Sequence, residues 1–531
     1  MYLLLLILVF HSVEPYKILV YTNLAGHSHV KFQGAVADTL TDAGHNLTVL
    51  MPIFEEALRN RTSLKSTKNI IFVEPSEELL ASMEGLSELF ADRWTTDIAN
   101  PLSRITETRV MSKIFGALCK NVLSQPGLIE RLKAENFDLA ITEPLDTCAY
   151  ALFEAINIRA HVAVLSASRF DHVSDIIGQP LAASYVPGLQ SPTGERMDMI
   201  GRIWNYFHYL GSSYFFTTIG DTDHEIAKII LPITRSWREV LPEVSFVLVN
   251  LIPILDFPAP TFDKIVPIGG LSVKTDKKSL KLDEKWSKIL DLRKHNVLIS
   301  FGSVAKSVDM PAHYKLSLLE VFEEMPDTTF IWKYEDAKDT FANHLDNVYL
   351  GEWLPQNELL ADKRLSLFIT HGGLGSTTEV AVMGKPAVMV PLFADQGRNA
   401  QMLKRHGGAL VIERKDLADS GLVKKTLETI IKDQSYQKNA ERVAEMLNNQ
   451  PTNPKETLVK YVEFAARFGK LPSLDNYGRH QSYIEYFFLD IIAIGILISL
   501  IIMYIFYRIL KAIMRRMFCF KGKGSLKNKK D

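Results

Sequence analysis

Residues 367–383, which read LFITHGGLGSTTEVAVM, decide the fold of this chain. A buried strand is expected to end at Thr370, glycines follow it, and a helix then starts. The glycines let the backbone approach a ligand closely, and the free N–H groups and dipole at the start of the helix favour phosphate. The glycine spacing differs from the GxGxxG of dinucleotide-binding proteins and from the P-loop pattern. The stretch therefore predicts a diphosphate site between a strand and a helix.

The same alternation of short apolar runs and longer amphipathic stretches extends in both directions. Continuous apolar runs are typical of parallel strands that are buried on both faces. One series opens at residues 17–21 and re-enters a strand at 47–50. The second series comprises residues 297–301, 330–332, 348–350, 367–370, 387–390 and 410–412. We expect an α/β fold of two doubly wound, Rossmann-like domains facing a cleft, plus one C-terminal transmembrane helix.

Composition bounds the class of protein. With 531 residues and 47% hydrophobic composition, the chain exceeds what one hydrophobic core usually covers. A net charge of −1 gives no reason to expect a nucleic-acid partner. The cysteines, Cys119, Cys148 and Cys519, are too few and too scattered for a disulfide framework or a CxxC metal site. We therefore expect the redox compartment to follow from other features.

The two ends of the chain carry membrane-related patterns. Residues 1–13 are interpreted as a signal peptide, because their apolar run is too short to span a bilayer. Residues 487–507 contain one charge, Asp490, and predict a transmembrane helix. Nine basic residues between Arg508 and Lys530 place the tail, residues 508–531, in the cytosol and the preceding chain in the lumen. The alternative is a buried core helix with a solvated basic tail.

Localisation and domain boundaries follow from these patterns. Lys527 and Lys529 match a dilysine retrieval signal, which predicts a single-pass type I protein of the endoplasmic reticulum membrane. The alternative is that both lysines only extend the basic flank. Asn46 and Asn60 begin glycosylation sequons, and Asn60 is favoured because its stretch is polar. The expected domains are an acceptor domain at 14–255, a proline-punctuated linker at 256–294, a second domain at 295–450 and returning helices at 451–486.

Three motifs surround the opening stretch. They are GEWLPQNELL at residues 351–360, THGG at 370–373 and PLFADQ at 391–396. In this order and spacing they resemble the signature of the UDP-glycosyltransferase family. With SYVPG at residues 184–188, the resemblance runs from Tyr16 through the basic tail and is to the UDP-glucuronosyltransferases. It implies a GT-B fold, in which the first domain binds the acceptor and the second binds the UDP-sugar.

The resemblance also implies roles on the donor side. Trp353 would stack on uracil, and Gln356 would touch the nucleotide. His371 would lie at the pyrophosphate, and Glu379 would hold the ribose hydroxyls. Glu379 has a second explanation, because residues 376–379 also fit a helix capping box. The remaining donor-binding residues implied are Asp395 and Gln396 at the sugar hydroxyls, together with Ser303, Gly373, Gly375 and Ser376. Gly375 stands where vertebrate relatives often have Asn, which weakens inference about the sugar.

Catalysis needs a base that takes the proton of the acceptor hydroxyl. The resemblance assigns this role to His29, and the dipole of the following helix is expected to keep its imidazole neutral. Glu143 stands where the family has an Asp that stabilises the protonated base, with Asp146 as the fallback. On composition alone, His27 and His45 are equally good candidates. No metal is expected, because no third ligand lies at a suitable spacing beside His27 and His29.

The expected function is therefore the metal-independent, cofactor-free transfer of a sugar, glucuronate first, from a UDP-sugar to a small lipophilic acceptor. One displacement inverts the anomeric configuration, and no residue marks the nucleophile that retention requires. UDP-glucose is the alternative donor, and a catalytically weak member that binds lipophilic ligands is the alternative function. A homo-oligomer is left open. An aromatic run is interpreted as an acceptor wall, a bilayer-facing surface or helical core: Trp204, Tyr206, Phe207, Tyr209, Tyr214, Phe215 and Phe216.

Overall fold

A computed structural model describes residues 15–524 except 85, 87–91, 96–100, 234, 275–278 and 337, and leaves the side chains of 92, 101–103 and 519–524 undescribed. Contacts divide the chain into two compact units, Met1–Asp475 and Asn476–Asp531. The predicted signal peptide and the predicted retrieval lysines, Lys527 and Lys529, lie outside the described residues.

The first sheet of the larger unit is parallel throughout the described residues. Its seven strands are β1 (Lys17–Tyr21), β2 (Asn46–Pro52), β3 (Ile70–Val73), β4 (Leu139–Thr142), β5 (His161–Leu165), β6 (Val247–Val249) and β7 (Ile265–Pro267). They lie in the order β3-β2-β1-β4-β5-β6-β7. Strands β1 to β3 are added towards one edge of the sheet, and β4 to β7 are added towards the other. The strand order therefore reverses between β1 and β4, and their carboxyl ends flank a crevice of the kind that binds ligands in α/β sheets.

The second sheet repeats this arrangement. Its described strands are β8 (His295–Ser300), β9 (Thr328–Lys333), β10 (Val348–Gly351), β11 (Leu367–Thr370), β12 (Ala387–Met389) and β13 (Ala409–Val411). Their order is β10-β9-β8-β11-β12-β13, and every pairing is parallel. Each apolar run of the second series predicted from the sequence forms one of these strands, and the expected fold class is confirmed.

Helices connect the strands of both sheets. Those of the larger unit are α1 (His27–Asp42), α2 (Glu77–Ser82), α3 (Pro101–Leu123), α4 (Leu128–Ala134), α5 (Cys148–Ala155), α6 (Asp171–Ile177), α7 (Met199–Ile230), α8 (Trp237–Val240), α9 (Glu284–Leu290), α10 (Ala312–Glu323), α11 (Gln356–Ala361), α12 (Leu374–Met383), α13 (Gln396–Lys404), α14 (Ser420–Lys432), α15 (Gln434–Asn448) and α16 (Pro454–Phe468). Their apolar faces cover both sides of each sheet, as parallel strands that are buried on both faces require.

Two segments extend the first domain beyond its main run of sequence. Strand β7 pairs with β6 and lies inside the segment 256–294 that the sequence suggests is a linker, because three residues give too short a signal to distinguish a strand. Helix α16 packs its buried residues Leu458, Val462 and Ala465 into the core formed by β1, β2, β4 and β5. The chain therefore returns to the first domain after the second sheet is complete.

The smaller unit contains a long apolar helix. It comprises α17 (Tyr483–Tyr486) and α18 (Leu489–Gly524), separated at Phe488 by a left-handed backbone conformation with φ of 56°. Residues Leu489–Phe518 are apolar and long enough to cross a membrane, and none of the most apolar part is buried inside the protein. The alternative of a buried core helix is therefore wrong, and the helix fits a membrane anchor that begins two residues later than the sequence predicts.

Two of the three cysteines form a disulfide. Cys119 near the end of α3 and Cys148 at the start of α5 are bonded, with a Cα–Cα distance of 5.4 Å. The expectation that the cysteines carry no information on the redox compartment is therefore wrong for this pair. Sequence spacing could not reveal the bond, because the packing of the helices brings together two cysteines that are 29 positions apart.

Candidate active site

The candidate base, His29, lies directly above the crevice of the first sheet. It is the third residue of α1, which starts just after β1, and the preceding Gly26 takes a left-handed conformation with φ of 63°. The N–H of Gly26 donates to Oε1 of Glu55 at 2.6 Å, which holds the entry to the helix. About a third of the His29 side chain is exposed, so the ring can reach both the protein and a ligand in the cleft.

Glu143 and Ser166 hold one side of the His29 ring. Glu143 follows β4, and its Oε2 lies 2.9 Å from Nδ1 of His29. Ser166 follows β5; its hydroxyl donates to Oε1 of Glu143 at 2.5 Å, and its N–H donates to the same oxygen at 2.8 Å. Nδ1 also lies 2.6 Å from Oγ of Ser166. Because Nδ1 faces a carboxylate, it carries the proton, and the lone pair of Nε2 is left to accept a proton from an acceptor hydroxyl.

This arrangement corrects the expectation that the helix dipole keeps His29 neutral. Burial alone lowers the pKa of the imidazole, but the charge and hydrogen bond of Glu143 outweigh burial, and the more distant charges of Asp395 and Glu55 add to them. The pKa of His29 is therefore raised above its ordinary value. Burial acts in the opposite sense on Glu143, whose pKa is nevertheless lowered by His29 and by the hydrogen bonds from Ser166. The carboxylate is ionised and stabilises the imidazolium.

Asp146, the fallback partner, lies in a different cluster. Its Oδ2 accepts from the hydroxyl of Tyr21 at 2.9 Å and from the side-chain amide of Asn23 at 2.6 Å. Its Oδ1 accepts from the N–H of Cys148 at 2.9 Å. Burial raises the pKa of Asp146. Its hydrogen bonds join β1 to the start of α5, and the structure brings Glu143 rather than Asp146 to the base.

The other two histidines considered from the sequence have different surroundings. His45 is buried, stacks at an angle on Tyr16, and lies 3.3 Å from Glu463 of α16. His27 packs its edge against the ring of Trp353, with the centroids 5.5 Å apart. Burial lowers the pKa of His27, and the nearby positive charges lower it further. Neither ring occupies the crevice beside Glu143.

The glycine loop of the second domain surrounds His371. β11 ends at Thr370, and α12 starts at Leu374 with Gly373 as its N-cap. A Cβ atom added at Gly302 or Gly373 would lie 2.7 Å from the imidazole, so only glycine permits this close packing. Burial lowers the pKa of His371 to about 4, so the ring is neutral at physiological pH and has one N–H, which hydrogen-bonds to the backbone of Ser300. Ser303 is exposed in the turn just after Gly302.

Glu379 lies inside α12 rather than at its cap. Since the helix starts at Leu374, Ser376 is its third residue, and the capping-box explanation for Glu379 is wrong. The Glu379 carboxylate is buried and has two partners: Nζ of Lys31 at 2.5 Å from Oε1 and Nε2 of Gln356 at 2.6 Å from Oε2. Nε2 of Gln356 is also 3.1 Å from Oγ of Ser376. Three of the expected donor residues therefore form one hydrogen-bonded cluster.

Trp353 stands at the mouth of the cleft. It follows β10 and is 54% exposed, unlike the other tryptophans of the second domain, Trp286 and Trp332, which are buried. The guanidinium of Arg61 lies over its ring at 5.1 Å from the centroid, and Nζ of Lys333 lies at 5.8 Å. An exposed indole beside cations suits stacking on a flat, anionic nucleotide better than it suits core packing.

Asp395 and Gln396 begin α13 after the strand β12. Burial raises the pKa of Asp395, and its Oδ2 accepts from Nδ2 of Asn399 at 2.9 Å. Nδ2 of Asn399 also donates to the carbonyl of Gly372 at 3.0 Å, which ties this loop to the glycine loop. Oε1 of Gln396 accepts from the N–H groups of Leu392 and Phe393. The amide nitrogen of Gln396 is therefore the atom left to contact a sugar hydroxyl, as a donor.

Two further features bear on the chemistry. Among the described residues, no group of three His, Cys, Asp or Glu side chains could hold a metal ion. Gly375 has open space where a side chain would project, since no protein atom lies within 4 Å of that position.

The aromatic run of the first domain lies on α7 and divides between two environments. Tyr209, Phe215 and Phe216 are buried, as helical core packing predicts. Trp204, Phe207 and Tyr214 are exposed, while Tyr206 stacks on Tyr209. The core explanation therefore holds for three of the seven residues, and the three exposed ones form an apolar surface.

Sequence reasoning missed Ser166, Lys31 and Asn399. Ser166 could have been found, because it follows the apolar strand β5, which pairs with the strand that leads into Glu143, and ligands meet α/β sheets at that edge. Lys31 had no such signal, since its partner Glu379 is 348 positions away in the other domain. Asn399 lies inside α13 one turn after Asp395, where an i,i+4 pair is expected to interact.

The fold and these side chains define a GT-B glycosyltransferase, with the candidate base His29 in one domain and the glycine loop in the other. The family described as UDP-glucoronosyl and UDP-glucosyl transferase matches residues 17–524, and the chain belongs to it. The chain is 27% identical over 507 residues to UDP-glucuronosyltransferase 1A8 of Rattus norvegicus, covering 94% of this chain and 92% of the relative. It is also 27% identical over 504 residues to UDP-glucuronosyltransferase 1A9 of Mus musculus, with the same coverage.

Solved structures share the fold. Os79 from O. sativa, in complex with U2F and trichothecene, superposes with a TM-score of 0.58 at 16% identity, covering 85% of this chain and 100% of that chain. UGT2 of Phytolacca americana, complexed with UDP-2fluoro-glucose and pterostilbene, gives a TM-score of 0.55 at 15% identity, covering 85% and 99%. The protein is a UDP-glycosyltransferase.

Proposed function

We propose that this enzyme transfers glucuronate from UDP-glucuronate to a hydroxyl of a small lipophilic acceptor, with inversion and without a metal. The observation that carries the proposal is the contact between His29 and Glu143 at 2.9 Å, in a cleft opposite Asp395 of the donor domain. The mammalian relatives that the chain resembles are glucuronosyltransferases, which favours the sugar.

The proposed reaction is a single displacement. Nε2 of His29 accepts the proton of the acceptor hydroxyl while the oxygen forms a bond to the anomeric carbon. The bond from that carbon to the diphosphate oxygen breaks, and UDP leaves with the electron pair. Glu143 stabilises the imidazolium that results, and the N–H groups at the start of α12, next to His371, donate to the diphosphate. Asp395 and Gln396 orient the sugar hydroxyls.

The experiment that tests this function is a donor panel with a phenolic acceptor. The full-length enzyme in detergent is incubated with UDP-glucuronate or UDP-glucose, UDP release is followed, and the anomeric configuration of the product is read by NMR. We expect the faster release with UDP-glucuronate, a β-linked product from the α-linked donor, and no effect of EDTA. A faster reaction with UDP-glucose would replace the proposed donor. No release with either donor would favour a ligand-binding member.

We also propose that residues 14–485 reside in the lumen of the endoplasmic reticulum. The bond between Cys119 and Cys148 supports this location, because disulfides persist in oxidising compartments. Helix α18 fits a membrane anchor, and Arg508, Lys511 and Arg515 follow its most apolar part. Replacing Lys527 and Lys529 with Ser leaves seven basic residues on the flank, so we expect preserved topology with escape toward the cell surface. Unchanged reticular localisation would reject retrieval, and protection of the tail from protease in sealed microsomes would reject the topology.

A further inference from the structure

The two side chains expected to hold the nucleoside are both occupied by cations of the other domain. Nζ of Lys31, two residues after His29 on α1, lies 2.5 Å from Oε1 of Glu379. The guanidinium of Arg61, in the loop after β2, lies over the ring of Trp353. In this structure the first domain therefore contacts the residues that would hold ribose and uracil.

Ribose must compete for the carboxylate of Glu379. Lys31 occupies one carboxylate oxygen, and Gln356 donates to the other at 2.6 Å. A ribose hydroxyl that donates to Oε1 takes the position of the ammonium group. Lys31 is only about one third exposed, so an ammonium that has lost its anion there is costly. Binding of a donor is therefore more favourable if Lys31 gains a new anion at the same time.

The donor itself brings that anion. Its diphosphate carries two negative charges, and a hexuronate adds a carboxylate. Burial is the largest cause of the lowered pKa of His27, and the charges of Lys31, Arg61 and Lys333 lower it further. Three cations therefore lie around the His27 ring, which packs beside Trp353. Lys333 already pairs with Glu335 at 2.5 Å and donates to the carbonyl of Gly302. Lys31 and Arg61 are therefore the cations that donor binding must move.

We propose that Lys31 and Arg61, which contact Glu379 and Trp353 in this structure, are donor-recognition residues that transfer to an oxyanion of the bound UDP-sugar. The closing of the first domain on the donor then depends on the negative charge of the donor. The inference rests on the proposed function, because it takes the ligand of this cleft to be a UDP-sugar. The oxyanion is that of the diphosphate or of a hexuronate carboxylate.

The test compares ligands that share uridine but differ in charge. Dissociation constants of uridine, UDP, UDP-glucose and UDP-glucuronate are measured by calorimetry on the full-length wild type and on Lys31→Gln, Lys31→Arg and Arg61→Gln. The matched control is Lys470→Gln, because Lys470 forms an ion pair with Glu243 at 2.5 Å outside the cleft. Melting temperatures check that each variant is folded.

We expect Lys31→Gln to lower the affinity for each anionic ligand by about 10- to 100-fold, which is the range of a charge-assisted hydrogen bond. Uridine should bind this variant as well as it binds wild type, or more tightly, because Glu379 no longer has a competitor. Arg61→Gln should lower the affinity for the same ligands to a smaller degree. Lys31→Arg and Lys470→Gln should bind every ligand with the affinity of the wild type. Equal losses of affinity for UDP, UDP-glucose and UDP-glucuronate would show that Lys31 pairs with the diphosphate. A loss of affinity confined to UDP-glucuronate would show that Lys31 pairs with the carboxylate of the hexuronate.

Two results would overturn the proposal. One is a loss of affinity in Lys31→Gln that is the same for uridine as for the anionic ligands, since Lys31 would then only shape the site. The other is unchanged affinity for every ligand, since the contact with Glu379 would then be an interdomain ion pair alone. Absence of binding of any UDP-sugar to the wild type would instead reject the proposed function, so the two failures are distinguishable.

Discussion

Replacing Glu143 with Gln should move the acid limb of the pH–rate profile to lower pH. The base must be neutral to accept a proton, so activity rises as pH rises through the pKa of His29. In the wild type this pKa is raised, because the Glu143 charge and hydrogen bond outweigh burial. Glu143→Gln removes the charge and keeps a side chain of the same length. The pKa of His29 should fall, and the neutral form should persist to lower pH.

The size of the shift follows from the distance. Across the 2.9 Å between Nδ1 and Oε2, two unit charges screened as in water interact by about 1.4 kcal/mol. Glu143 is buried and screened less than this, while His29 is one third exposed, so this energy is a lower bound for the interaction that Glu143→Gln removes. The same energy is lost in the transition state, where the imidazolium forms. The plateau of kcat should therefore fall by about 10- to 100-fold.

The assay is the initial rate of UDP release with a phenolic acceptor between pH 6 and 9, at saturating donor. Asp146→Asn is the matched control, because Asp146 lies three residues further on but binds Tyr21 and Asn23. Its acid limb should coincide with that of the wild type, and melting temperatures should show that both variants are folded. An acid limb in Glu143→Gln that stays in place or moves to higher pH would refute the reasoning. A larger effect in Asp146→Asn would make Asp146 the partner.

Three further predictions concern the base, the glycine loop and acid stability. His29→Ala should lower turnover by about 10²- to 10⁴-fold with UDP affinity by calorimetry nearly unchanged, and full activity would reject His29 as the base. Gly373→Ala should weaken UDP binding by about tenfold or more, because its Cβ would lie 2.7 Å from His371, whereas Gly375→Ala, with nothing within 4 Å, should bind UDP normally; equal affinities would contradict the packing. Burial lowers the pKa of His161 and His371 to about 4 from an unfolded value of about 6.5, so their stability contribution is complete above pH 6.5 and is lost as pH falls toward 4. The melting temperature should therefore fall between pH 7 and 5, and a constant value would contradict this.

The strand pattern was predictable because it is local. A strand buried on both faces must be apolar at every position, so the runs that form β8, β9, β11 and β12 are visible without knowledge of their neighbours, and the partly buried edge strands β10 and β13 are apolar as well. The start of α12 was predictable for the same reason, since glycines after Thr370 permit only a turn before the helix. The capping-box alternative failed because the helix starts three residues earlier than that pattern requires. Helix boundaries depend on packing as well as on sequence.

The sequence by itself determined the two domains, the apolar C-terminal helix and, through family motifs, the residues to consider at the site. Only the tertiary structure decided which of them meet. His29 and Glu143 are 114 positions apart and come together because β1 pairs with β4, with Tyr21 opposite Thr142. Ser166 joins them because β5 pairs with β4 on its other side. A pattern in sequence reports the surroundings of one segment, whereas a catalytic contact depends on the order and register of strands that the chain brings together from distant positions.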